Sequence, residues 1–439
     1  MKKWMKKITA LSVASMTVFG LGTMSLLNVK AASPVTNLNT PATIKAINLQ
    51  QFLVMKSTAH VPASYGVYTI TGGTAVSAKD NDGIYQVFSG TPTSDLTTSP
   101  VEGTPTVGTA DATINKSPLT VKFTGAETPS SAAGTTTDAL SNTSISDNVT
   151  LASGYSYVKM DVPVNFTGVT FKEPGIYRYV ITLKDYHGYN QGGTGIDASF
   201  VIDNPTKTLD VYVTTASDGS LQVSEYILRN DVTSTSPKLA GFVINYKTVD
   251  VDISEIVSGN QSMASQTFGG EVRLFYFPKG MTFDVTTTST DKTNNTSGAI
   301  TVDSTADITT LKYNLKQGEH YTIKDFPVGA TLHCYINKTE LSKTGYSISV
   351  NSEKSTASTS LNPSGTSEYY TYTGTVNLPT ATEGTTVDVV FEYHKDGTIP
   401  TGIIVTVVPY ATVAVAGFAG LIFLIRRKKL KEEKDNSGE

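Results

Sequence analysis

The sequence holds one cysteine, Cys334, one tryptophan, Trp4, and five histidines in 439 residues. A lone cysteine excludes an intramolecular disulfide framework, so any covalent staple must use other chemistry. The histidines, at positions 60, 187, 320, 333 and 394, have no metal-ligand spacing, and no metal or cofactor is expected. There is no Ser-His-Asp signature and no phosphate-cradling glycine loop, so the reading is of a protein that is not an enzyme. Between the two ends of the chain no stretch sustains a helical period, which argues against a helical bundle or an α/β sheet.

What is present is strand after strand. Tyr65–Ile70, Tyr177–Thr182, Leu209–Thr214 and Thr385–Phe391 alternate or are β-branched and aromatic, and Gly, Pro, Asn, Asp and Ser separate such runs. The expected fold class is all-β, two tandem immunoglobulin-like β-sandwich domains over 32–247 and 248–396. Residues 75–150 are rich in Thr, Ser, Ala, Gly and Pro and read as a long insertion, or weakly ordered loops, in the first domain. Segment 281–309 is again Thr- and Ser-rich. Gly192-Gly193, within 186–195, reads as a long hairpin turn, with an adhesive loop as the alternative.

The ends carry targeting patterns. Lys2, Lys3, Lys6 and Lys7 precede an apolar stretch from Ile8 to about Val29 and the small residues Ala31-Ala32-Ser33, the layout of a cleaved signal peptide over 1–31. The alternative is an uncleaved N-terminal anchor. At the other end, Thr398-Ile399-Pro400-Thr401-Gly402 is followed by Ile403–Ile425, which has no charged residue. As a helix that run spans roughly 30–35 Å, enough to cross a bilayer core. The basic tail 426–439 behind it is expected to stay cytoplasmic. Without both ends the body carries about 23 basic and 34 acidic residues, a net charge near −11. Such a body argues against nucleic acid or anionic lipid as partner.

The motif 398–402, one span and a basic stop resemble the sorting signal of a sortase substrate of the (L/V/I)PxTG class, cut between Thr401 and Gly402. Pro400 stiffens the segment that a transpeptidase cleft would hold. An ordinary single-pass anchor with a chance Ile-Pro-Thr-Gly is the alternative. The tail Ile399–Tyr410 further resembles that of major backbone pilins of Gram-positive pili, with the streptococcal T-antigen type nearest. Phe166–Thr182 is similar to the F-x-x-(P)-G-x-Y-x-Y signature of pilin isopeptide-linkage domains. Ile202-Asp203 with Thr208–Val213, and Leu315–Glu319 with Phe326–Gly329, resemble further strands of such domains. The resemblance covers about 52–75, 155–257 and 311–425.

That family implies a Lys–Asn isopeptide bond between the first and last strands of each domain, formed without a cofactor beside a buried glutamate. In the first domain Lys56 and Asn245 match the lysine and asparagine. The acid position holds Leu183, so Asp185, Asp203 or another acid would have to substitute. In the second domain the three positions hold Glu255, Ile336 and Tyr393, and apolar packing is expected to replace the bond. Lys238 lies seven residues before Asn245, the offset of the family's linking lysine, and is expected to be exposed and mobile. The resemblance implies a secreted, wall-attached shaft subunit, reached through a membrane-anchored precursor. A class C (pilus) sortase would join Thr401 to Lys238 of an identical subunit. Minor pilins, and peptidoglycan through a housekeeping sortase, would be further partners. A singly wall-anchored adhesin or minor pilin is the alternative.

Overall fold

A computed structural model describes residues 47–76, 86–111, 119–138, 140, 143–189, 195–232, 237–303, 308–352, 368–377, 386–397 and 427–428. The signal-peptide reading at 1–31, the motif 398–402 and the apolar run 403–425 lie outside the described residues. Among those described, no helix is long and apolar enough to cross a membrane.

Strands fall into two sets on either side of Lys247. In the first, one sheet runs in the order Phe200–Asp203, Gly241–Tyr246, Ile47–Lys56, Tyr155–Asn165, Thr106–Val107. The facing sheet runs Leu221–Arg229, Thr206–Thr215, Gly175–Gly188, Ser64–Gly72, Leu119–Phe123, Thr109–Ala110. Leu119–Phe123 pairs with Ser64–Val67, and Val87–Ser89 pairs with Ile176–Arg178. Part of the segment read as an insertion therefore supplies strands to the sandwich. Its low aromatic content hid this, because its strands are two to five residues long.

The second set repeats the plan. One sheet runs Gly298–Thr301, Thr282–Thr287, His320–Pro327, Thr248–Ser258, Val387–His394, Ser347–Ser352. The other runs Ile308–Leu315, Phe268–Phe275, Thr331–Asn337, Tyr369–Thr375. A short helix, Lys338–Thr344, interrupts the strands. Asn337 caps it by accepting from the Glu340 amide at 3.0 Å, and Gly345 ends it with φ of +75°. Two turns were too short to show a helical period.

Each unit buries alternate residues of its strands. Leu209, Val211 and Val213 point to the core, as do Val249, Val251 and Ile253. Tyr177 and Tyr179, from the Tyr-x-Tyr motif, are fully buried. The Tyr177 hydroxyl donates to the Glu173 carbonyl at 2.8 Å, pinning the turn at Pro174-Gly175 to the strand it opens. Behind them Arg178 and Asp210, directly opposed on neighbouring strands, form a bidentate pair at 2.7 and 2.9 Å.

One feature is common to both units. The first and last strands are hydrogen-bonded neighbours and run parallel. Gln50–Val54 lies beside Gly241–Asn245, and Val251–Ser258 beside Val387–His394. A Cβ at Gly241 would fall 1.7 Å from the Gln50 carbonyl oxygen, so only glycine permits this approach. Only Lys247 separates the last strand of the first unit from the first strand of the second.

Candidate functional site

The expected linkage residues of the first unit sit on the paired terminal strands. Asn245 lies beside Val54, two residues before Lys56. Alternation puts both on the outer face. Phe52, Val54 and Val243 belong to a small apolar cluster there, whereas Leu53, Met55, Phe242 and Ile244 face the main core. Leu183 is on the core side, fully buried, where the Tyr68 hydroxyl donates to Gln51 at 2.8 Å. Asp185 and Asp203 are exposed. Among the described residues no buried acid therefore joins Lys56 and Asn245. The Lys56 ammonium instead lies 3.5 Å from Asp325 of the second unit.

That contact differs from the expected pairing with Asn245, and its cause is local. The strand His320–Pro327 carries an irregularity opposite Val249–Val251, and Asp325 there has φ of +50°. A bulge of this kind re-aims a side chain. Asp325 also accepts from Thr248 Oγ1 at 3.0 Å. His60 and Asp284, 3.2 Å apart, form a second polar contact across the junction. The Val328 amide donates to the Lys247 carbonyl at 3.0 Å, and the Lys247 amide to the Ser199 carbonyl at 2.8 Å.

A different lysine–asparagine contact exists. Lys207, 3 % exposed, donates to Asn230 Oδ1 at 2.6 Å. Burial lowers its amine to about 8. Asn230 is exposed, and among the described residues the exposed Asp203 is the carboxylate that acts on Lys207, through space.

The second unit departs from apolar packing at one point. Glu255 is 2 % exposed and neither carboxyl oxygen has a hydrogen-bond partner among the described residues. Burial, reinforced by the charge of Glu319, drives its carboxyl well above the ordinary range. The Tyr313 and Tyr393 hydroxyls, acted on electrostatically by Glu255, are likewise buried without partners. Ile336 and Cys334 are buried on Thr331–Asn337, a strand of the unit's other sheet, and burial pushes the Cys334 thiol up.

Lys238 occupies the segment that leads into the last strand of the first unit. The Leu239 amide donates to the Leu228 carbonyl at 2.8 Å, fixing this segment to the facing sheet's edge strand. The Lys238 ammonium lies 3.0 Å from Asp138 Oδ2, 3.7 Å from Glu225 and 5.2 Å from the centre of the Tyr226 ring. Its side chain is only 22 % exposed. The expectation of a mobile, exposed amine is corrected by the segment around 130–151, which folds over it. Asn148 Oδ1 accepts from the Ala240 and Gly241 amides at 3.0 and 2.9 Å. Asp147 accepts from Thr136 at 2.5 Å, Tyr157 at 2.7 Å and Lys159 at 3.0 Å. Burial pushes the Asp147 carboxyl up, but these hydrogen bonds outweigh it and hold it below the ordinary range.

Sequence reasoning missed Asp138, 100 residues from Lys238 along the chain and set in a Ser/Thr/Gly-rich stretch. No motif or period marked it. Among the described residues no group of three or more His, Cys, Asp or Glu side chains could hold a metal ion.

No known family profile matches the chain, and no curated protein sequence matches it. It is similar to solved structures. A major pilin from Streptococcus pyogenes matches with a TM-score of 0.43 and 14 % identity, over 81 % of this chain and 100 % of that one. The major pilin T3.2 from Streptococcus pyogenes matches with a TM-score of 0.44 and 17 % identity, over 80 % and 98 %. A pilus-presented adhesin matches with a TM-score of 0.23 and 14 % identity, over 44 % and 37 %.

Proposed function

We propose that the chain is a pilin-type cell-surface protein of a Gram-positive bacterium, the shaft subunit of a covalently polymerised pilus. Its C-terminal Thr401 would be joined to Lys238 of the next subunit by a class C sortase. One observation supports the mechanical part of this reading: the parallel pairing of first and last strands in the second unit. With Lys238 as the acceptor, tension enters the first unit just before its last strand, passes through Lys247, enters the second unit at the start of its first strand and leaves at the end of its last. With those strands parallel and adjacent, the two pulled ends lie at opposite ends of the pair. The interstrand hydrogen bonds of that pair then bear force side by side, in shear, and none can open ahead of the others. Such a unit suits a fibre under tension.

The joining chemistry needs one donor and one acceptor per subunit, placed so that the chain of subunits does not close. The donor motif follows the last strand of the second unit, and Lys238 precedes the last strand of the first. Wall extracts of cells carrying the cognate pilus sortase should give an SDS-resistant ladder. Lys238→Ala should reduce it to one wall-bound band, and Lys238→Arg should do the same, because a guanidinium stays protonated and cannot attack a thioester. A ladder that survives both changes would remove Lys238 from the reading. Absence of any ladder from the unmodified protein would favour a singly anchored adhesin.

A further inference from the structure

We propose that Asp138 is a catalytic residue, the proton acceptor for Lys238 in the joining step, with Glu225 as the second carboxyl that holds the amine in place. The proposal rests on the reading of Lys238 as the linking lysine. It adds a base supplied by the subunit itself, from a segment whose sequence shows no motif.

The chemical need is plain. Only a neutral amine attacks a thioester. A free lysine amine titrates near 10.4, so about one in a thousand is neutral near pH 7.4. A base within hydrogen-bond reach of the ammonium removes that handicap. Asp138 Oδ2 is 3.0 Å from Lys238 Nζ. The carboxylate cannot swing away easily. Its other oxygen accepts from the Leu140 amide at 2.9 Å, its own amide donates to the Thr143 carbonyl at 2.8 Å, and its side chain is 0 % exposed.

The groups around the amine come from three segments. Asp138 comes from the covering segment, and Glu225 and Tyr226 from one edge strand. Asp161, on the first strand's other neighbour, acts on the Tyr226 hydroxyl. Burial raises the Glu225 carboxyl, Lys238 pulls it back and Asp138 raises it again, leaving it above the ordinary range.

The step balances as follows. One proton passes from the Lys238 ammonium to Asp138. The neutral amine forms a C–N bond to the thioester carbonyl that a cysteine transpeptidase holds on Thr401. The C–S bond breaks, the thiolate takes the second amine proton, and an amide and a free thiol remain. Asp138 returns its proton to solvent.

The test uses cells displaying the full chain with its pilus sortase, held in buffers from about pH 6 to pH 9.5 so that the medium varies the neutral fraction of a lysine amine. Ladder growth in wall extracts gives the rate. Asp138→Asn should slow joining at least about tenfold near neutral pH and recover towards wild type at the alkaline end, where solvent supplies neutral amine. Glu225→Gln should show a smaller change of the same form. A loss equal at every pH would mark a structural role and overturn the proposal, as would an Asp138→Asn profile matching wild type. If Asp138→Asn fails to yield a wall-bound monomer, Glu225→Gln decides, and an unaltered profile there overturns the proposal. The branched peptide of the wild-type polymer is mapped alongside. A joint at another lysine defeats the reading of Lys238 and this proposal with it. A joint at Lys238 with an unmoved Asp138→Asn profile defeats this proposal alone.

Discussion

Glu255 shows what a single residue costs this fold. Its carboxyl is held protonated by burial, so the folded chain binds a proton that the unfolded chain releases above the ordinary glutamate range. The sign follows. Below the unfolded value both states are protonated and the site exacts no pH-dependent penalty. As pH rises above it, the unfolded state alone ionises and stability falls, until the raised folded value is reached. Glu255→Met removes the ionisable group and two unpartnered oxygens. It should raise stability at neutral pH by about 1–3 kcal/mol and flatten the decline in melting temperature between mildly acid and neutral pH. A variant less stable than wild type at neutral pH would show that Glu255 has a partner that holds it. A second expectation belongs to Lys56 and Asn245. With the lysine turned to Asp325 and Leu183 in the place of an acid, these two residues should remain unlinked. Peptide mapping should find both unmodified. A loss of about 17 Da, one ammonia, in a peptide joining them would contradict the geometry.

At the level of elements, the sequence told much about strands and little about their faces. The runs around Tyr65, Tyr177, Leu209 and Val387 were legible because β-branched and aromatic residues alternate between turn residues. The outward face of Lys56 and Asn245 was not, because matching a motif leaves a one-residue register choice, and one residue exchanges core for surface. The short strands within 86–123 were illegible for another reason: pieces of two to five residues have no period to detect. Asp138 was hidden because its meaning comes from a contact 100 residues away. The pair Arg178–Asp210 is an element-scale feature that the register explains, since the two residues face each other across neighbouring strands. Both side chains are at most 10 % exposed. Asp210→Asn would leave the guanidinium buried beside a neutral amide. It should cost about 3–5 kcal/mol, read from denaturant or thermal unfolding. A cost below about 1 kcal/mol would place the pair with ordinary surface ion pairs.

At the scale of the whole molecule, the proposed joint at Lys238 sets the path of force. It runs from Lys238 into Gly241–Tyr246, through Lys247, along Thr248–Ser258, and across to the parallel strand Val387–His394. Lys56–Asp325 and His60–Asp284 tie the units beside that path. The covering segment around 130–151 lies against Gly241–Tyr246 and its parallel neighbour and brings Asp138 to Lys238. The most direct test of the account is tandem mass spectrometry of a protease digest of polymer released from the wall. The account predicts a branched peptide in which the carbonyl of Thr401, in Ile399-Pro400-Thr401, forms an amide with the side-chain nitrogen of Lys238. A branch on any other lysine, or subunits ending at Thr401 with no branch between them, would contradict it.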